Sequence, residues 1–334
     1  MSRADLQSAR VFILNERMWR NWQTRTVQVR VTTNHEGSSP SIRTSTSLAQ
    51  ARDFLRIGLC CVPIGDIEVD NRPIGIFDSG IGGLTSVMYL HDRLPDETVL
   101  FYGDTARAPY GSKSSDTIRK FSLDISNYLV SNGVKMLIIA CNTVTAISLD
   151  AIREANPTIP VIGVIEPTAK RVAEDGDGSV GIIGTKATIM SDVYPEKIWE
   201  YDNSIRTFSL ACPVLVPLIE EGIIDNKIME LAVRYYMDDF VAENDFDRLV
   251  LGCTHYPLVS DTIKRLYPQL KLYCSSAEVI PEAEKILRTN DMLAEPNEQQ
   301  DRYYASDLSD NFLRMTDIMF KDRDKKIRLK KLYD

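Results

Sequence analysis

The chain contains no apolar run approaching the roughly 20 residues a membrane-spanning helix requires, so a helical span is excluded and no membrane partner is expected. Histidine is nearly missing, with three in 334 residues. Only Cys253 and His255 form a close Cys/His pair, and without a second pair at ligand spacing no metal site is expected. The six cysteines are too few and too scattered for a disulfide framework, which leaves the reduced cytoplasm as the simplest setting. Surplus positive charge is missing too: a net charge of −8 offers nucleic acid no general binding surface. What is present is an ordinary globular composition, 44% hydrophobic and 26% charged, at a length that suits two domains of about 150 residues.

Lysine is absent from residues 1–72, which hold ten arginines and two of the three tryptophans, Trp19 and Trp22. The stretch RNWQTRTVQVRVTTNHEGSSPSIRTSTS has no sustained amphipathic period. Its arginine- and serine-rich, acid-poor character is shared with organelle transit peptides. The segments MWRNWQTR and GSSPS, however, resemble a conceptual translation of a transfer-RNA gene, which points to a start site assigned too far upstream. Residues 1–72 are therefore expected to stand outside the folded body and to be poorly ordered. Mass spectrometry that found Trp19 and Trp22 in the mature chain would contradict the misplaced start site.

From Pro73 onward, short apolar runs alternate with helical periodicities, the pattern of a parallel α/β fold with right-handed crossovers. The organising run is LIIACNTVTA, 137–146, where an apolar strand stops at Ala140-Cys141-Asn142-Thr143 and a helix begins. Cys141 thus falls where ligands bind in open α/β sheets, at a helix N-terminus that favours a thiolate. LVLGCTHYPL, 249–258, repeats the design and places Cys253 at the matching corner, 112 residues later. PIGIFDSGIGGL at 73 and SVGIIGTKATIM at 179 recur at a similar offset, so the body reads as two α/β units. One cysteine at such a corner is more often core than chemistry. Two, each followed by polar residues, favour chemistry. Cys212 and Cys274 lack comparable corners and are assigned to packing.

Two loops add candidate groups. Asp78-Ser79-Gly80-Ile81-Gly82-Gly83 is a glycine-rich βα turn without the GxGxxG spacing, and Asp78 would repel phosphate yet accept from an ammonium group. It suits a small zwitterion. GDTARAPYGSKS, 103–114, presents the Tyr110 hydroxyl and the Gly111 backbone, with a plain surface turn as the competing reading. If both thiols faced one cleft, a carbon between them would meet a proton donor on one side and an acceptor on the other. Thiol suits that task because its pKa, ~8.5 when free and lower at a helix N-terminus, lies near working pH. The C-terminal KDRDKKIRLKKLYD is expected to be a solvated end rather than a nucleic-acid patch.

DSGIGG (78–83), PYG (109–111), ACNT (140–143) and GCTHYPL (252–258), in this order, together resemble glutamate racemase, a cofactor-independent bacterial family. The resemblance implies two pseudo-symmetric α/β domains, residues 73–165 with 275–334 and residues 166–274, enclosing the site. It implies cofactor-free interconversion of L- and D-glutamate, the D-isomer feeding peptidoglycan synthesis. Cys141 matches the thiolate that deprotonates D-glutamate and Cys253 the one that acts on L-glutamate. Asp78 and His255 match groups assisting the respective cysteines, and Glu220 in VPLIEEG a further acidic helper. Asp78-Ser79, Tyr110-Gly111, Asn142-Thr143 and Thr254-His255 match substrate-binding pairs. Aspartate racemase, or another two-cysteine relative, is the nearest alternative; a non-catalytic amino-acid-binding protein is a more distant one. Oligomeric state is not given by the sequence, and a homodimer is one option.

Overall fold

The computed structural model describes residues 69–320 and 326–333. The reading of residues 1–72 given above lies outside the described residues for 1–68, whereas 69–72 are tied to the folded body, Lys135 Nζ donating to the Asp70 carbonyl at 2.7 Å.

Two all-parallel sheets make up the fold. The first has six strands in the order β10-β9-β2-β1-β3-β4. They are β1 (Ile74–Asp78), β2 (Val99–Gly103), β3 (Met136–Ile139), β4 (Val161–Gly163), β9 (Arg302–Ala305) and β10 (Ile327–Leu329). The second has four strands, β5 (Ser179–Gly184), β6 (Arg206–Ala211), β7 (Arg248–Gly252) and β8 (Lys271–Cys274), in the order β6-β5-β7-β8. The first four strands of each half therefore share one order, second-first-third-fourth. In both halves the order reverses between the first and third strands, and it is outside such reversals that α/β sheets bind ligands.

Burial explains why the central strands are legible in the sequence. Every residue of β1, β2, β3, β5 and β7 is buried, so these strands are apolar on both faces. At roughly 1.5–3 kcal/mol for each large apolar side chain buried, such runs drive the fold. Helices cover the faces: α1 (Leu84–Arg93), α2 (Ser115–Ser131), α3 (Asn142–Ala155) and α4 (Ile165–Glu174) in the first half, and α5 (Lys186–Met190), α6 (Val193–Tyr201), α7 (Leu215–Glu220), α8 (Lys227–Glu243) and α9 (Ser260–Leu266) in the second. α10 (Ser275–Thr289) follows β8 and packs against α1 and α4, which brings the chain back to the first sheet; α11 (Asp310–Phe320) lies between β9 and β10. Ser114, Thr185 and Asn226 cap α2, α5 and α8 by accepting from first-turn N–H groups.

Several elements differ from the sequence expectation. β6 and β8 were not legible as strands. They are the edges of the second sheet and are half exposed, so they lack a continuous apolar signature. The helical stretch after Thr185 is divided at Asp192, which adopts φ 53° between α5 and α6. The charged C-terminal tail is not simply solvated: its Ile327–Leu329 pairs in parallel with Tyr303–Ala305 as the edge strand β10. Charged side chains on an edge strand are consistent with both pairing and solvation.

Candidate active site

Cys141 caps the amino end of α3 directly after β3 and is nearly buried. Its sulfur lies 3.3 Å from Ser79 Oγ. Asp78, the last residue of the adjacent β1, is fully buried beneath it and accepts from Gly80 N–H at 3.0 Å. Burial pushes the Cys141 thiol up to about 12, and the nearby Asp78 carboxylate pushes the same way; Ser79 and backbone N–H groups pull it back only in part. The lowered thiol expected from the helix N-terminus is therefore not what the protein's own groups produce, because desolvation of a thiolate outweighs the partial charge of one helix end.

Cys253 follows β7, the counterpart of β3, and is likewise nearly buried. The correspondence then breaks. A 3-10 turn, Tyr256–Val259, comes next, and α9 starts only at Ser260, so no α-helix begins at Cys253 as one does at Cys141. An imidazole occupies that role: His255 Nδ1 lies 3.8 Å from the Cys253 sulfur. On its other side, His255 Nε2 lies 3.2 Å from Glu220 Oε1 at the end of α7, an ion-pair distance without in-line hydrogen-bond geometry. Burial disfavours the imidazolium, but the Cys253 sulfur and the Glu220 carboxylate outweigh it and raise the His255 pKa well above the ordinary histidine value. Burial raises the Asp78 carboxyl, with His255 opposing.

These groups converge. A single cavity of about 160 Å³ is lined by Ser79, Tyr110, Gly111, Cys141, Asn142, Thr143, Glu220, Cys253, Thr254 and His255, ten of the eleven residues singled out in the sequence. Asp78 is the exception: it stands behind the wall. The volume falls below the roughly 300–1,000 Å³ of drug-sized ligand sites and suits a small metabolite. Among the described residues, no group of three or more His, Cys, Asp or Glu side chains could hold a metal ion.

Two assignments, Tyr110 and Asn142, change in detail. The Tyr110 hydroxyl is not offered to the cavity, because it donates to buried Asp104. The Asn142 amide is committed on both atoms: Oδ1 accepts from Tyr194 at 2.6 Å, and Nδ2 donates to Ser275 Oγ at 3.0 Å. Those bonds fix the amide and link α3 to α6 and α10. The Thr143 hydroxyl lies 2.9 Å from that of Thr185, which also lines the cavity.

Thr185, Asp104, Tyr194 and Ser275 were not picked out in the sequence. Thr185 follows β5 as Ser79 follows β1, so the recurrence of 73–84 at 179–190 carried its signal. Asp104 lies in the loop at 103–114 and bonds Arg107 and Tyr110 within it, while Tyr194 and Ser275 act through long-range partners and left no signal. Cys212 is fully buried, as expected, and burial pushes its thiol up to about 12. Cys274 departs from expectation, being partly exposed at the amino end of α10.

As a class, the structure is a two-sheet parallel α/β protein with two thiols, an imidazole and hydroxyl groups around one small cavity. The family description "Asp/Glu/Hydantoin racemase" matches residues 86–280. Glutamate racemase of Geobacter metallireducens is 42% identical over 247 residues, covering 73% of this chain and 91% of that protein. Glutamate racemase of Persephonella marina is 48% identical over 204 residues, 61% of this chain and 78% of that one. The crystal structure of Francisella tularensis glutamate racemase, in complex with D-glutamate, superimposes with a TM-score of 0.74 at 36% identity, covering 79% of this chain and 99% of that one. The chain belongs to the glutamate racemase family and is an isomerase.

Proposed function

We propose that this protein interconverts L- and D-glutamate by a two-base proton transfer at Cα, in a reduced cytoplasm, and so supplies D-glutamate for peptidoglycan synthesis. The observation that carries the reading is that Cys141 and Cys253, each ending the third strand of its half, line one cavity. In the D-to-L direction Cys141 as thiolate removes the α-proton, and Cys253 as thiol delivers one to the other face. The L-to-D direction reverses the roles. His255, held between Cys253 and Glu220, restores the protonation of Cys253, and Asp78 stands next to Cys141 for the same purpose. The substrate's ammonium group brings positive charge to a buried thiol, which lowers the cost of the Cys141 thiolate. Hydroxyls of Thr143 and Thr185, with N–H groups at the start of α3, face the substrate's carboxylates and the charge that develops during proton removal. With thiols in both proton-handling positions, this mechanism requires no pyridoxal phosphate. Glutamate as the substrate is supported by the D-glutamate complex of the Francisella relative.

The test is a chirality-resolved assay in deuterium oxide with each enantiomer of glutamate and of aspartate. Deuterium at Cα of glutamate together with inversion is expected, and Cys141→Ala or Cys253→Ala should nearly abolish inversion while leaving the fold intact. Full activity in either variant would overturn the two-base scheme; turnover of aspartate alone would overturn the substrate.

A further inference from the structure

The cavity wall that carries Tyr110 and Gly111 is held from the far end of the chain. Asp104, fully buried, receives the Tyr110 hydroxyl, Arg107 Nε at 2.6 Å and Ser306 Oγ at 2.8 Å. The guanidinium of Arg107 is sandwiched between two rings, its Cζ 3.8 Å from the Phe121 centroid and 3.9 Å from that of Tyr333. Phe121 belongs to α2, while Tyr333 is the next-to-last residue of the chain. The tail reaches this position through β10, then through Lys330, whose N–H donates to Ala305 O at 2.8 Å and whose carbonyl accepts from the Tyr102 hydroxyl at 2.9 Å. Leu332 packs against the same buried cluster that contains Tyr102, Tyr110 and Cys141.

The Tyr333 hydroxyl is buried and has no hydrogen-bond partner among the described residues. What Tyr333 contributes is therefore its ring face. A cation held between two aromatic faces, with its side chain only 12% exposed, is restricted both in position and in plane. An arginine so restricted points its Nε at one place, the Asp104 carboxylate.

We propose that residues 327–333 are a clamp on the substrate cavity and that Tyr333 is a positioning residue. Its ring fixes Arg107, Arg107 orients Asp104, and Asp104 sets Tyr110 and the wall at 109–112. The proposal rests on the glutamate-site reading above only for its kinetic readout. It gives the C-terminal tail a part in substrate binding, although the tail lines no part of the cavity itself.

The test compares Tyr333→Phe, Tyr333→Leu and Tyr333→Ala with the unmodified full chain. Kinetics are measured in both directions, with thermal melting and hydrogen exchange by mass spectrometry of the peptide covering 104–112. Tyr333→Leu keeps apolar bulk without a π face and is expected to melt like the parent, yet to show faster exchange in 104–112 and a KM raised about five- to tenfold with kcat nearly unchanged. Tyr333→Ala should show the same kinetic split, and Tyr333→Phe should match the parent in every readout. Parental KM and exchange in Tyr333→Leu would overturn the clamp, as would a Tyr333→Phe variant as impaired as Tyr333→Leu. If the parent racemises neither amino acid, the functional reading falls while hydrogen exchange still decides whether the clamp exists.

Discussion

Thr254 donates its hydroxyl to the Asp78 carboxylate across 3.4 Å, although 176 residues separate them in the chain. This contact joins the loop after β1 to the loop after β7, and with them the surroundings of the two cysteines. Gly82 makes the approach feasible. A Cβ there would come within 2.2 Å of Thr254 Oγ1 and 2.7 Å of His255 Nδ1.

Gly82→Ala should therefore displace the Thr254-His255 loop without unfolding the chain. A displacement on the order of 1 Å at a reacting group costs about 100-fold in rate, so a loss of that order in kcat/KM is expected. Gly80→Ala is the contrast, since its Cβ would meet its nearest atoms at ordinary distances of 3.7 and 3.8 Å. Steady-state kinetics and melting curves of the two variants check this, and equal losses in both would contradict it.

Asp78→Asn should stabilise the fold while impairing catalysis. Burial raises the folded-state pKa of Asp78 above its unfolded value, so the stability associated with its protonated form is fully present below the unfolded pKa and lost as pH rises through the folded value. Asparagine resembles the protonated form at every pH. Its advantage should be absent below about pH 4, near the unfolded carboxyl pKa, and grow above it. Greater stability at neutral pH, with reduced turnover, is the expected trade of stability against function. Denaturant titrations at acid and neutral pH measure it; a less stable variant at neutral pH would refute the assignment.

The reactivity of Cys141 should keep climbing with pH. With its thiol pushed up to about 12 in the free protein, the thiolate is scarce throughout the neutral range. Alkylation at Cys141, followed by peptide mapping, should then accelerate about tenfold per pH unit between pH 7 and 9. A plateau within that interval would show that the α3 amino end and Ser79 outweigh burial. Addition of D-glutamate should slow the alkylation by covering the sulfur.

The sequence alone went far for this chain. Strands buried on both faces must be written as apolar runs, so β1, β3, β5 and β7 were legible, and the residues that end them were the natural place to look for chemistry. Cys141, Cys253, His255 and the loop at 78–83 were all found at such strand ends. The edge strands β6, β8 and β10 were not, because a half-exposed strand is under no comparable constraint.

Tertiary structure decided what each group can do. That Asn142 is tied to Tyr194 and Ser275 depends on partners distant in sequence; that the Tyr110 hydroxyl serves Asp104, six residues away, and that Asp78 stands behind the wall depend on how the loops fold. The protonation of Cys141 and of His255 was decided there as well. A sequence shows that a helix begins after Cys141 but not how completely the sulfur is removed from water, and desolvation is the larger of the two effects. It shows His255 two residues after Cys253 but not the Glu220 carboxylate 3.2 Å from the ring. Local pattern determines which residues end the strands; burial and long-range contact determine their charge.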